Sequence, residues 1–230
     1  MDRSAALIVG AGEGLSASLA RLFAREGMTV GLAARRTDKL AALCAETKAK
    51  AFACDAAEPA SVAALFAAVD GEIGPPDIVV YNASFRTRGP VADLDAAEVQ
   101  KALAVSAFGG FLVGQQAARR MLKAGRGAIL FTGASASVKG YAESAPFAMG
   151  KFALRGLAQS MARELAPKGV HVAHFVIDGG IRSERYKDPQ DRPDSFLDPD
   201  AIAQTYLQVV RQPRSAWTWE VELRPWVERF

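Results

Sequence analysis

The chain has 230 residues and 24.4 kDa, is half apolar and 23% charged, and has a mean hydropathy of +0.06 and a formal charge of +3. A chain of this size buries roughly 70–75% of its unfolded surface, which excludes disorder and removes any need for a disulfide or metal staple. The mild basicity comes without a run of Lys and Arg, so nucleic acid is excluded as a partner and an anionic small molecule suits better.

Residues 5–9 form an apolar run stopped by Gly10 and predict a strand buried on both faces. Leu15, Leu19, Leu22 and Phe23 recur at helical spacing through Arg25, and Gly27 ends that helix. Residues 29–33 predict a second strand, and Thr37 is placed to cap a helix over 38–47. Residues 51–54 predict a third strand, Pro59 opens a helix, and residues 78–81 predict a fourth strand. Asp95 and Glu98 have capping-box spacing and start a long helical region running to about Lys123. A fifth strand over 128–131 precedes a helix over 145–165, which Pro167-Lys168-Gly169 terminates. Residues 170–177 predict a sixth strand. Asp198-Pro199 then restarts a helix, and residues 217–223 alternate as a last strand.

Short apolar strands alternating with amphipathic helices predict a Rossmann-like α/β fold. Its doubly wound parallel sheet of about seven strands lies between two helical layers, in a single domain over 1–230. Ligands of such sheets bind at the carboxyl ends of the strands. Cys44 and Cys54 form no framework, and His171 and His174 have no partner at metal-site spacing, so no metal is expected. No apolar run reaches ~18 residues, and the short run after Met1-Asp2-Arg3-Ser4 does not suit a signal peptide. The expectation is a cytoplasmic protein that spans no membrane.

After the first strand stand Gly10-Ala11-Gly12-Glu13-Gly14-Leu15-Ser16. Glycines let a backbone approach a pyrophosphate, and the helix start offers unpaired N–H groups. The spacing fits G-x-x-x-G, through Gly10 and Gly14, better than G-x-G-x-x-G. At the end of the second strand the chain reads Ala34-Arg35-Arg36, with no acid before Asp38. A carboxylate there binds a ribose hydroxyl, whereas arginine accepts a 2′-phosphate, so NADP(H) is favoured over NAD(H).

These motifs, together with others spread over nearly the whole chain, resemble the short-chain dehydrogenase/reductase family. The family's T-G-x-x-x-G-x-G spans Val9 to Ser16. Its Asp after the third strand is Asp55, in Cys54-Asp55-Ala56, and its N-N-A-G motif reads Tyr81-Asn82-Ala83-Ser84. Its P-G motif reads Asp178-Gly179-Gly180-Ile181-Arg182-Ser183, with Ser183 where a Thr contacts the nicotinamide amide. The resemblance implies a cofactor site made of Gly10, Gly12, Glu13, Gly14, Leu15, Arg35, Arg36, Asp55, Ala56, Asn82, Ala83, Lys151, Gly179, Ile181 and Ser183. It also implies a dimer or tetramer built through the two long helices, with Gly109, Gly110, Gly114, Gly150 and Gly156 permitting close contact. Trp217, Trp219, Trp226 and Phe230 form an aromatic tail suited to adding to an interface.

The catalytic positions depart from the family. Y-x-x-x-K reads Phe147-Ala148-Met149-Gly150-Lys151, so the phenol that moves the proton is missing. The assisting Asn is Ser106. The catalytic Ser position, thirteen residues before Phe147, is Ala134, and a one-residue loop shift brings Ser135 there instead. The catalytic set implied is Lys151, Ser135, Phe147 and Ser106, with Tyr141, Ser144, Ser135 or Lys151 through water as substitute proton donors. Tyr81, inside a strand, reads as core. The polar segment 183–197 stands at the family's substrate lid; around it Arg182, Arg185, Lys187 and Arg192 are mixed with Glu184, Asp188, Asp191 and Asp194. Three functions stay open: an NADP(H)-dependent oxidoreductase acting on a small carbonyl or hydroxyl compound, a nucleotide-binding sensor or partner subunit with little catalysis, and a non-redox enzyme.

Overall fold

The computed structural model describes residues 4–184 and 186–228. Arg185 of the expected lid and Phe230 of the aromatic tail lie outside the described residues. Seven parallel strands form one sheet in the order β3-β2-β1-β4-β5-β6-β7. They are β1 Ala5–Val9, β2 Thr29–Ala34, β3 Lys50–Ala53, β4 Ile78–Tyr81, β5 Gly127–Thr132, β6 Val170–Ile177 and β7 Glu220–Leu223. Helices α1 Leu15–Arg25, α2 Ala41–Thr47 and α7 Pro199–Val210 cover one face. Helices α3 Pro59–Glu72, α5 Gly109–Ala124 and α6 Ala145–Leu165 cover the other.

The period-2 geometry of a strand sends Ala6 and Ile8 into the first layer and Leu7 and Val9 into the second. All five residues of β1 are buried, which is why the strand reads as a continuous apolar run. Burying a Leu, Ile or Phe side chain of this kind contributes about 1.5–3 kcal/mol. Strand order reverses between β1 and β4, so a crevice opens at their carboxyl ends.

Several local expectations change. Thr37 caps no α-helix; Thr37–Leu40 is a 3₁₀ turn and α2 starts at Ala41. β7 begins at Glu220, because Trp217 and Trp219 precede its pairing with His174. The long helical region divides into α4 Ala96–Leu103, a π turn Ala104–Phe108 and α5, with the Asp95 side chain accepting from Glu98 N at 3.0 Å. Together Ala96–Ala124 make a 29-residue rod with mean hydropathy 1.2 over its most apolar window. Length and composition alone would let such a helix cross a membrane, but the core helix of a globular domain shares both properties. Its Gly110, Val113, Ala117 and Met121 are buried in the molecule's own core.

The helix glycines also serve the interior. A Cβ on Gly109 would meet the Tyr81 hydroxyl at 2.4 Å, on Gly110 the Leu154 side chain at 2.4 Å, and on Gly150 the Ser106 Cβ at 2.8 Å. Gly114 has Met161 and Phe131 at 3.1 Å, and only Gly156 of the five faces open space.

Candidate functional site

A cleft of about 880 Å³ lies across the carboxyl ends of the strands at the switch point. Val9 to Glu13, Ala34 to Arg36, Lys39, Cys54 to Ala56, Asn82 to Phe85 and Val105 line it. The structure therefore brings Gly10, Gly12, Glu13, Arg35, Arg36, Asp55, Ala56, Asn82 and Ala83 together along one cleft. Gly14, Leu15, Lys151, Gly179, Ile181 and Ser183 do not line it. Leu15 is 4% exposed and packs its side chain in the core, while Gly14, at φ +79°, precedes α1. Ser183 is engaged in a turn, where its Oγ accepts from Tyr186 N at 3.2 Å, and Ile181 bridges to Leu197.

Steric necessity explains the first glycine. Gly10 has φ +85°, and a Cβ there would lie 2.3 Å from Ala83 N. Gly10 N and Ala11 N both donate to Ala33 O at 2.9 Å. Asn82 holds the other side: its N–H donates to Val9 O at 2.8 Å, and its Nδ2 donates to Ser16 Oγ at 2.7 Å. Ser16 Oγ in turn donates to Gly10 O at 3.2 Å. A Cβ on Gly12 meets nothing within 4 Å, so its open side faces the cleft. The Asp55 carboxylate accepts from Ala57 N at 3.0 Å, which fixes its turn.

Three cations stand at the β2 end of the cleft. Arg36 pairs with Asp38 at 3.2 Å, but both side chains are two-thirds exposed, and such a pair contributes about 0–1 kcal/mol. Lys39 joins Arg35 and Arg36 on the cleft wall and escaped the sequence reading. Its signal was the short Arg35-to-Lys39 spacing, which a 3₁₀ turn folds back on itself.

Outside the cleft lining, Lys151 on α6 is 3% exposed, and its Nζ donates to Thr132 O at 2.7 Å. Burial pulls its ammonium down to about 8. Phe147, half-buried one turn earlier, has its ring centroid 5.8 Å from that Nζ. Ser106 is fully buried in the π turn; its Oγ accepts from Phe85 N at 3.4 Å. A hydroxyl so enclosed acts on the Phe85 loop. π turns of this kind are frequent at functional sites. Ser135 is half-buried in the 3₁₀ turn 135–137, and Ala134 N donates to Ser137 Oγ. Tyr141 is 47% exposed, Ser144 is buried at the start of α6, and Tyr81 is core, donating to Val105 O.

Behind Lys151 lies a charged cluster. Arg155 on α6 clamps Glu220 on β7 with two hydrogen bonds of 2.6 and 2.7 Å, and His174 Nδ1 lies 3.1 Å from the same carboxylate. Burial, reinforced by the Lys151 and Arg155 charges, pulls His174 down to about 4 despite Glu220. Its Nε2 packs under Gly133, where a Cβ would sit 2.3 Å away. The lost proline of the P-G motif is replaced by buried Asp178, which pairs with Lys139 at 3.0 Å and Arg224 at 3.5 Å. That pair ties the loop after β5 to the end of β6. A smaller cavity of about 210 Å³, between Arg163, His171, Trp217 and Trp219, lies at the opposite end of β6.

The profile of the short chain dehydrogenase family matches residues 4–191. D-threitol dehydrogenase of Mycolicibacterium smegmatis is 31% identical over 177 residues, covering 75% of this chain and 68% of the relative. Sorbitol-6-phosphate 2-dehydrogenase of Escherichia coli is 28% identical over 215 residues, covering 89% and 83%. Among solved structures, a short-chain dehydrogenase from Rhodopseudomonas palustris superposes with a TM-score of 0.84 at 37% identity, covering 97% of this chain and 99% of that one. A metagenomic short-chain oxidoreductase in complex with NADP gives 0.85 at 28% identity, covering 98% and 99%.

Proposed function

The chain belongs to the short-chain dehydrogenase family, and from that premise we propose that it is an NADP(H)-dependent oxidoreductase acting on a small carbonyl or hydroxyl compound. The observation that carries this reading is the cleft, with a glycine loop at one end of its wall and three cations at the β2 end. Its chemistry fits the cofactor. The open side of Gly12 leaves room for a pyrophosphate, and Arg35, Arg36 and Lys39 supply charge for a 2′-phosphate. The structural relative in complex with NADP is consistent with this. When bound, the cofactor supplies or accepts the hydride. The chain's own residues do the rest: Asn82 orients the loop through Ser16, Asp55 lines the same cleft, and Lys151 holds its ammonium beside the Phe147 ring.

The proton is the unusual part. Phe147 has no ionisable group, so Lys151, acting through water, or Ser135 takes over the phenol's task. Losing a positioned acid costs roughly 10²–10⁴-fold in rate. A second reading, a nucleotide-binding protein with little catalysis, is favoured by one specific observation. Phe147, Ala134 and the enclosed Ser106 leave three family positions without an accessible hydroxyl or amide.

We read 1–230 as one unit, with 183–197 as its lid. A homodimer or homotetramer is supported by Phe108, Phe111, Met149 and Phe152, which stay 41–48% exposed on the π turn, α5 and α6. The free thiols of Cys44 and Cys54 agree with a cytoplasmic setting.

The test is a panel of aldehydes, ketones and alcohols with NADPH and NADH, run on the native protein beside Phe147→Tyr. Turnover by the native protein supports the oxidoreductase. NADPH binding without turnover, switched on by Phe147→Tyr together with Ala134→Ser, supports the sensor or partner-subunit reading.

A further inference from the structure

The segment after β4 continues past the cleft as Phe85-Arg86-Thr87-Arg88. Arg86 lays its guanidinium over the Phe147 ring, 4.6 Å from the centroid. Stacking uses the face of the guanidinium and leaves its N–H edge available for a bidentate acceptor. Arg88 is close enough to repel it, and the Tyr186 ring of the lid segment also lies near. Partial burial and the neighbouring Arg88 charge depress the Arg86 pKa.

Among the described residues no carboxylate pairs with Arg86 or Arg88. The acids of the lid segment are engaged elsewhere. Arg182 gathers Asp188 at 2.9 Å, Asp194 at 3.0 Å and Asp198 at 3.7 Å. Glu184 pairs with Lys187, and Asp191 with Arg192. Arg86 therefore stands over the Phe147 ring, where a substrate carbonyl must come, and Arg88 is exposed two residues further on, with the intervening Thr87 half-buried. Aromatic rings stand on either side, Phe147 below Arg86 and the Tyr186–Phe196 pair in the lid.

We propose that Arg86 and Arg88 form an oxyanion-recognition site, and that the substrate is a carbonyl compound, or its alcohol, carrying a carboxylate or phosphate on a short apolar body. This rests on the oxidoreductase reading for the carbonyl, but not for the anion. The anion's own charge removes the repulsion between the arginines, and its apolar body packs on the rings. Anchoring the far end of the substrate also positions the carbonyl at a site stripped of the phenol that ordinarily fixes it.

Two measurements separate the parts of this proposal. The first is calorimetric titration of the protein with benzoate, phenyl phosphate and benzyl alcohol, for the native chain, Arg86→Lys and the double variant Arg86→Gln with Arg88→Gln. Both anions should bind the native protein and weaken at least tenfold in the double variant, with Arg86→Lys between. Benzyl alcohol should change less than twofold. The stronger of the two anions identifies the headgroup. Anion affinities unchanged by the double variant overturn the site. The second measurement is NADPH oxidation with 4-carboxybenzaldehyde, 4-formylphenyl phosphate and methyl 4-formylbenzoate. At least one charged aldehyde should exceed the ester at least tenfold in kcat/KM, and the double variant should erase the preference. Arginine-dependent anion binding with no reduction of any aldehyde keeps the anion site and removes the oxidoreductase. Equal reduction of acid, phosphate and ester, with arginine-independent binding, does the reverse.

Discussion

Gly10→Ala and Gly12→Ala look equivalent in the sequence and should behave in opposite ways. At Gly10 an alanine must adopt φ +85°, at about 1–2 kcal/mol for an L residue. Its Cβ would also lie 2.3 Å from Ala83 N and 2.5 Å from Ala83 Cα. That backbone cannot retreat freely, because Asn82 is tied to Val9 O and Ser16 Oγ. Overpacking of this kind costs typically about 1–3 kcal/mol. The total, about 2–5 kcal/mol, is a large share of the roughly 5–15 kcal/mol that holds a domain folded. At Gly12 the new methyl meets nothing, so stability should stay within about 0.5 kcal/mol. The methyl would instead occupy the space a pyrophosphate needs, and NADPH affinity should fall about tenfold, or 1.4 kcal/mol. Urea unfolding at constant slope reads the first effect, and cofactor fluorescence titration reads the second. A stable Gly10→Ala, or a Gly12→Ala that binds NADPH normally, would refute the division between a structural and a ligand-facing glycine.

Arg35→Ala with Arg36→Ala should weaken NADPH more than NADH in the same titration; equal losses would dismiss the 2′-phosphate contact. Lys151→Ala should raise the NADPH dissociation constant by the worth of a charge-assisted contact, about 1.5–3 kcal/mol. Native affinity should decline as pH rises through about 8, where the buried ammonium loses its proton, and the variant should not share that decline. His174 lies at about 4 when folded, below its usual 6.5, so the unfolded chain binds the extra proton first. Its contribution is intact above pH 6.5 and should fall by on the order of 3 kcal/mol as pH drops to 4. Chemical denaturation at several pH values should show His174→Asn flattening that slope.

The sheet was legible because its inner strands are buried on both faces, so Ala5 to Val9 and Ile78 to Tyr81 stand out as unbroken apolar runs. The glycine loop was legible because backbone demands are written in residue type. What escaped depends on three-dimensional proximity. The Arg86 contact joins residues sixty-one positions apart, one after β4 and one on α6. The glycines of the long helices invited an interface reading because spacing shows which residues are small, but not what fills the space beside them. Trp217 looked like strand because alternation persists where pairing does not; its ring stacks on His171 instead, with centroids 4.7 Å apart.

The π turn Ala104–Phe108 sets the azimuth of everything after it. An α-helix advances about 100° per residue, so a wider turn offsets α5 from the phase that α4 alone would dictate. Along this rod Ser106 is fully buried while Phe108 and Phe111 stay at the surface. The offset makes this stretch intolerant of insertions and deletions. Losing one residue between 104 and 108 would rotate Gly109, Gly110 and Gly114 away from Tyr81, Leu154 and Met161. Bulkier side chains would then be driven into gaps that only a hydrogen atom fits.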